Sequence, residues 1–107
     1  MANTIRGNLV NAINELNKNL VHADKEQKKE IRRLRREHRA KLDKIVIAEI
    51  DSNTKAFKDA VASLKDATKE AKEAQKDITK VASAIKKISK AFGKVDDVIN
   101  KVIKFIK

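Results

Sequence analysis

Residues 57–106 read FKDAVASLKDATKEAKEAQKDITKVASAIKKISKAFGKVDDVINKVIKFI, and the spacing of apolar side chains in this stretch decides the fold. Every seventh residue is apolar: Phe57, Leu64, Ala71, Ile78, Ile85, Phe92, Ile99 and Ile106. Three positions further on, Ala60, Ala67, Ala74, Val81, Ile88, Val95 and Val102 fill a second row. Two such rows form the seam of a coiled-coil helix, predicted here over about residues 55–106. The seam is stabilising only when another helix removes it from water, so this half of the chain announces a contact surface and no reaction. Gly93 is the one candidate for a break, since an interior glycine costs on the order of 1 kcal/mol and Asp96 or Asp97 could start a new helix after it. Against a break, the seven-residue repeat passes Gly93 without a change of phase.

The first half carries a different period. Leu9, Leu20, Ile31 and Leu42 are spaced by eleven, as are Ala12, Ala23, Leu34 and Ile45, while Ile5 and Leu16 begin a row that continues with Gln27 and His38. Eleven residues over three turns is about 3.67 per turn, close to a straight helix, which predicts helix one over about 4–50. Asp51-Ser52-Asn53-Thr54 then competes with helical backbone bonding and offers N-cap oxygens, predicting a turn at about 51–54. The expected fold is all-α: one domain over residues 1–107, a long antiparallel helical hairpin of coiled-coil type. The absence of Gly and Pro from the junction leaves an unbroken rod as the alternative. Charge favours the hairpin, because folding back near residues 52–53 sets the arginine run beside Asp66, Glu70 and Glu73 and brings Ile13, Leu16 and Leu20 to Phe92, Ile88 and Ile85.

Further apolar residues flank both seams: Val10 and Val21 on helix one, and Ala82, Ala84, Ala91, Val98, Ile103 and Phe105 on helix two. A hairpin covers one stripe per helix, so the flanks predict self-association into a four-helix or larger bundle. The expected interface is Leu9, Ile13, Leu16 and Leu20 on helix one, with Ile78, Val81, Ile85, Ile88, Phe92, Val95, Ile99, Val102 and Ile106 on helix two.

Composition narrows the function class. With 41% apolar residues, no proline and two glycines in 107 residues, the chain has the makings of a helical core and little support for strands. It lacks cysteine, which excludes disulfides and thiolate metal sites. No signal-peptide pattern or membrane-span pattern is present, so a cytoplasmic location is expected, with export lacking a cleaved signal and peripheral membrane association left open. His22 and His38 are sixteen residues apart, about 24 Å along one helix, too far to share a metal. No catalytic, cofactor or metal residue is assigned, and no enzymatic activity is expected.

The expected function is a non-enzymatic helical interaction protein, structural, adaptor or chaperone-like, which associates with itself or with another helical protein through the seam. The alternative is a membrane-binding role for residues 78–107, where eight lysines, among them Lys94, Lys101 and Lys104, stand against Asp96 and Asp97 beside a broad apolar face. A third reading is weak, nonspecific nucleic-acid binding through Arg32, Arg33, Arg35, Arg36 and Arg39, consistent with a formal net charge of +11. Glu26, Glu30 and Glu37 are interleaved at helical pairing distances with Lys29, Arg33 and Lys41, which offsets part of the charge. Phe92-Gly93-Lys94-Val95-Asp96 resembles the Phe-x-x-x-Asp signature near the C-terminus of some small helical-hairpin partners of specialised bacterial secretion systems. The Trp-x-Gly turn of the better-known secreted hairpins is missing, and the resemblance implies a helical hairpin and no activity.

Overall fold

The computed structural model describes residues 4–21, 23–42, 44 and 54–106, and among them every regular element is helical. Helix α1 spans Ile5–Lys18, α2 spans Lys25–Leu42, α3 spans Lys55–Ala74 and α4 spans Val81–Ile106. Short 3-10 turns, Asn19–Val21 and Ile78–Lys80, follow α1 and precede α4. The four helices pack against one another, α3 most extensively with α4 and then with α1. The resulting body measures 44 × 22 × 18 Å.

Local chemistry accounts for the helix starts. The Thr4 hydroxyl oxygen accepts from the Gly7 N–H at 3.0 Å, and the Thr54 hydroxyl does the same for Phe57 at 3.1 Å. Asp24 and Gln27 form a reciprocal box at the start of α2: the Gln27 N–H donates to Asp24 Oδ1 at 2.8 Å, and the Asp24 N–H donates to Gln27 Oε1 at 3.0 Å. At the second turn Asp77 Oδ1 accepts from both the N–H and the hydroxyl of Thr79, at 3.0 and 2.6 Å.

These caps change the predicted element bounds. The expected helix over 4–50 is interrupted after Lys18 and restarts at Lys25, and the expected helix over 55–106 is interrupted between Ala74 and Val81. Asp24 and Asp77 cap the segments that restart there, with no glycine or proline in either break and no positive φ among the described residues. Gly93 breaks nothing, because α4 runs through it and a Cβ at that position meets no atom within 4 Å. Of the expected turn over 51–54, Thr54 is seen as the α3 cap, and residues 51–53 lie outside the described residues.

Long-range polar contacts fix the helix directions. Asn19 Nδ2 donates to the Ala71 carbonyl at 3.2 Å and Gln75 Nε2 donates to Glu15 Oε1 at 2.7 Å, so the C-terminal ends of α1 and α3 lie together. Lys80 meets Glu73 at 2.9 Å and Lys87 meets Asp66 at 3.2 Å, the rising and falling numbers of an antiparallel α3–α4 pair. Lys41, near the end of α2, meets Asp96 in the second half of α4 at 2.8 Å. Asp66, Glu70 and Glu73 therefore serve Lys87 and Lys80, where the sequence set them against the arginine run.

Both seams are dry. Leu9, Leu16, Ile31, Leu34, Leu64, Val81, Ile88 and Val95 are fully buried in one continuous core, joined by Phe57, Ile85, Phe92 and Ile99. The flank residues Ala84, Ala91 and Val98 are buried in the same core, because each helix in a four-helix packing touches two neighbours and needs a wider apolar stripe.

Candidate functional site

Helix α2 differs from its three neighbours. It carries nine lysines and arginines against three glutamates, and Ile31 and Leu34 are its fully buried apolar side chains among the described residues. These two inward residues set the phase of the helix against the core. One consequence is that positions 32, 35, 36 and 39, spaced i, i+3, i+4 and i+7, are gathered on another face. Arg32, Arg35, Arg36 and Arg39 together line one shallow recess there.

Arg33 belongs to a different arrangement. Its Nη2 lies 3.0 Å from Glu30 Oε2, and its Nη1 bonds Glu37 Oε1. The hydrogen bond that Arg33 donates to Glu30 leads the effects that raise its pKa, ahead of the charge of Glu37, so two carboxylates already balance this guanidinium's charge. Arg32, Arg35, Arg36 and Arg39 have no ion-pair partner among the described residues. Lys25, Lys28 and Lys29 are exposed one to two turns earlier on α2, and Lys29 has only a long 3.8 Å approach to Glu26.

The lysines of α4 sit in mixed-charge surroundings. Lys94 lines a groove between α3 and α4 with Asp59, Asp66 and Lys87, and Lys101 shares a second recess with Asp59 and Asp97. Lys104 is exposed. Phe92 and Asp96, the ends of the Phe-x-x-x-Asp stretch, are both engaged by α2: Asp96 pairs with Lys41, whose Nζ also stands 5.7 Å from the centre of the buried Phe92 ring. Each end of the motif thus has a packing role inside the chain.

The expected interface residues lie mostly in the interior. Leu9, Ile13, Leu16, Val81, Ile85, Ile88, Phe92, Val95 and Ile99 are covered by the chain's own helices, Leu20 is partly covered, and Val102 is half-buried. Ile78 is 61% exposed, and the side chain of Ile106 lies outside the described residues.

Two polar features went unread in the sequence, Asn8 and Asn19, while a third, His38, lies on the eleven-residue row of Ile5 and Leu16 and is half-buried. Asn8 and Asn19 are buried, the first donating from Nδ2 to the Thr4 carbonyl at 2.8 Å and the second bridging to α3. His38 Nε2 is buried with no hydrogen-bond partner among the described residues. Burial, followed by the charges of Arg39 and Arg6, holds the His38 pKa below its ordinary value. His22 lies outside the described residues. Among the described residues no group of three or more His, Cys, Asp or Glu is placed to hold a metal ion, and no helix is long and apolar enough to cross a membrane.

Compared with protein-family models, with curated proteins and with solved structures, the chain matches none.

Proposed function

We propose that this chain is a non-catalytic helical binding module whose working surface is the arginine face of α2, and that its partner is the phosphate backbone of a nucleic-acid duplex. The observation that carries this reading is the grouping of Arg32, Arg35, Arg36 and Arg39 around one recess, without acidic partners among the described residues, while Arg33 nearby is fully paired. From Lys25 to Arg39 the basic face extends about 21 Å along a straight helix, long enough to meet several successive phosphates. The exposed face offers no aromatic side chain for stacking on bases, which favours sequence-independent contact with the backbone.

The same surface is a poor match for a bilayer. A helix that lies in the membrane interface needs large apolar residues turned outward, and Ile31 and Leu34 of α2 turn inward. In residues 78–107, Val81, Ile85, Ile88, Phe92, Val95 and Ile99 are occupied by the core, so lipid binding there would require pulling the packed helix away. At the level of architecture, this reading treats the packed helices as a four-helix bundle with coiled-coil seams, a rigid support that holds α2 straight.

The test is direct titration of a labelled DNA duplex. The wild-type protein is expected to bind with strong salt dependence and little preference among sequences. The variant with Gln at positions 32, 35, 36 and 39 is expected to lose most of that binding while remaining folded. Equal binding by this variant would remove the proposal.

A further inference from the structure

The two breaks that divide the expected hairpin sit where the apolar repeats do not pause. Across the second break the seven-residue row runs Ala71, Ile78, Ile85 in unchanged phase, and across the first the eleven-residue row runs Leu9, Leu20, Ile31. The core takes up Ala71 and Ile85 and leaves Ile78 61% exposed, making it the one described member of its row turned out to solvent. At the first break Leu20 is only partly covered and its neighbour Val21 is 83% exposed. Both breaks lie at the same end of the molecule, as the Asn19–Ala71 and Gln75–Glu15 hydrogen bonds require. Neither contains a glycine or a proline, and no described residue of either has a positive φ that would forbid helix.

We infer that this chain exchanges halves with a second copy of itself, both turns straightening to give the extended hairpin that the sequence periodicity describes. In the extended chain α1 continues into α2 and α3 into α4. The α1 and α4 of one copy then pack with the α2 and α3 of the other. Every helix keeps the neighbours it has in the single chain, because the α3–α4, α1–α3, α1–α2 and α2–α4 pairs are reproduced with one member from the second copy, while α1 and α4 stay together from one copy. The connection from α2 to α3 is undisturbed, since those helices stay in the same half of the dimer. Ile78, Leu20 and Val21 move from an exposed end to the middle of a continuous four-helix column. What opposes the exchange is the loss of the caps made by Asp24 and Asp77. What favours it is burial of the residues those turns expose.

The chain is refolded from denaturant at high concentration and its species are separated by size, with mass read by light scattering against the 12.1 kDa single chain. A dimer is expected, and the cap-less variant Asp24→Ala with Asp77→Ala is expected to raise its share at least tenfold. Ile78→Pro separates exchange from simple face-to-face pairing. Position 78 begins a 3-10 turn, and Asp77 before it is extended at φ −139° and ψ 99°, so proline suits the turn and forbids the straight helix. This variant is expected to stay monomeric. Spin labels at Lys58→Cys and Lys94→Cys, in dimer formed with excess unlabelled chain, are expected to lie about 54 Å apart, the length of thirty-six helical residues. An Ile78→Pro chain that dimerises as the wild type does, a cap-less variant that stays monomeric at every concentration, or a short label distance in the diluted dimer overturns the inference.

Discussion

Replacing Arg32, Arg35, Arg36 and Arg39 together with Gln removes four cations from α2 and leaves its inward side chains, Ile31 and Leu34, unchanged. Gln is close to Arg in helix propensity, and the four guanidiniums contribute no ion pair among the described residues, so thermal unfolding should stay near that of the wild type. The effect on binding follows from counterion release. Each phosphate neutralised contributes about 0.9 to the slope of log affinity against log salt, so four lost contacts lower that slope by up to about 3.6. Over the rise from about 50 to about 200 mM salt, these four contacts account for a factor of about 150 in affinity. Fluorescence anisotropy of a labelled duplex, titrated at several salt concentrations, reads the slope directly. Arg33→Gln is the internal control: Glu30 and Glu37 already hold that guanidinium, and its loss should take less than one contact from the slope. A slope unchanged in the fourfold variant, or an Arg33→Gln effect as large as that of all four, would refute the reasoning.

Other consequences concern stability. Leu34 is fully buried and supplies half of the fully buried apolar side chains described for α2. Leu34→Ala should cost about 2–5 kcal/mol and lower the melting temperature by roughly 10 °C or more, measured by circular dichroism. Gly93 is exposed within α4 with open space at its Cβ, so Gly93→Ala should stabilise the fold by about 0.5–1 kcal/mol in urea unfolding; destabilisation would mean the glycine serves a close contact. His38 binds its proton less readily when folded than when unfolded, where its ordinary value of 6.5 applies. The unfolded chain therefore holds more protons in the window below 6.5, and stability is full above it and falls as pH drops toward the lowered folded value. His38→Gln should flatten this part of the stability profile. Glu73 and Asp77, held below ordinary carboxylate values chiefly by Lys80 and Thr79, lose their contributions only at more acid pH.

Much of the core was legible because burial in helices is periodic. Phe57, Leu64, Ala71, Ile85, Phe92 and Ile99 fall where the seven-residue row places them, and Leu9, Ile31, Ala12 and Leu34 where the eleven-residue rows do. The breaks were missed because the repeat that predicts burial carries no signal of termination. The available signals were local: an aspartate three residues before Gln27 in one case, and Asp77 two before Thr79 in the other. Similar chemistry at Asp51-Ser52-Asn53-Thr54 coincides with a change of apolar period, which marks a turn there. Breaking each long helix in two also changes what covers the flanks. Ala84, Ala91 and Val98, read as contacts for other chains, meet helices of their own chain. The arginine cluster was visible as composition, and the pairing of Arg33 could be inferred from glutamates three residues before and four after it. That Arg32, Arg35, Arg36 and Arg39 form no ion pair with a described acid required the packing, because the sequence alone set Asp66, Glu70 and Glu73 within their reach.

Exchange of halves leaves α2 in the same surroundings, with Ile31 and Leu34 turned inward and the four arginines turned outward. A dimer therefore carries two arginine faces, one in each half, while the Ile78→Pro monomer carries one. Because the number of cations on a face is unchanged, that monomer should bind a short duplex with the salt slope of the wild-type single chain. On a duplex long enough to reach both faces, the second engagement of the dimer is intramolecular, and its apparent affinity should exceed that of the locked monomer. The two measurements fail separately. Loss of short-duplex binding in the locked, folded monomer would mean that the cationic surface is completed only by a second chain, and the site could not then be the face of a single α2.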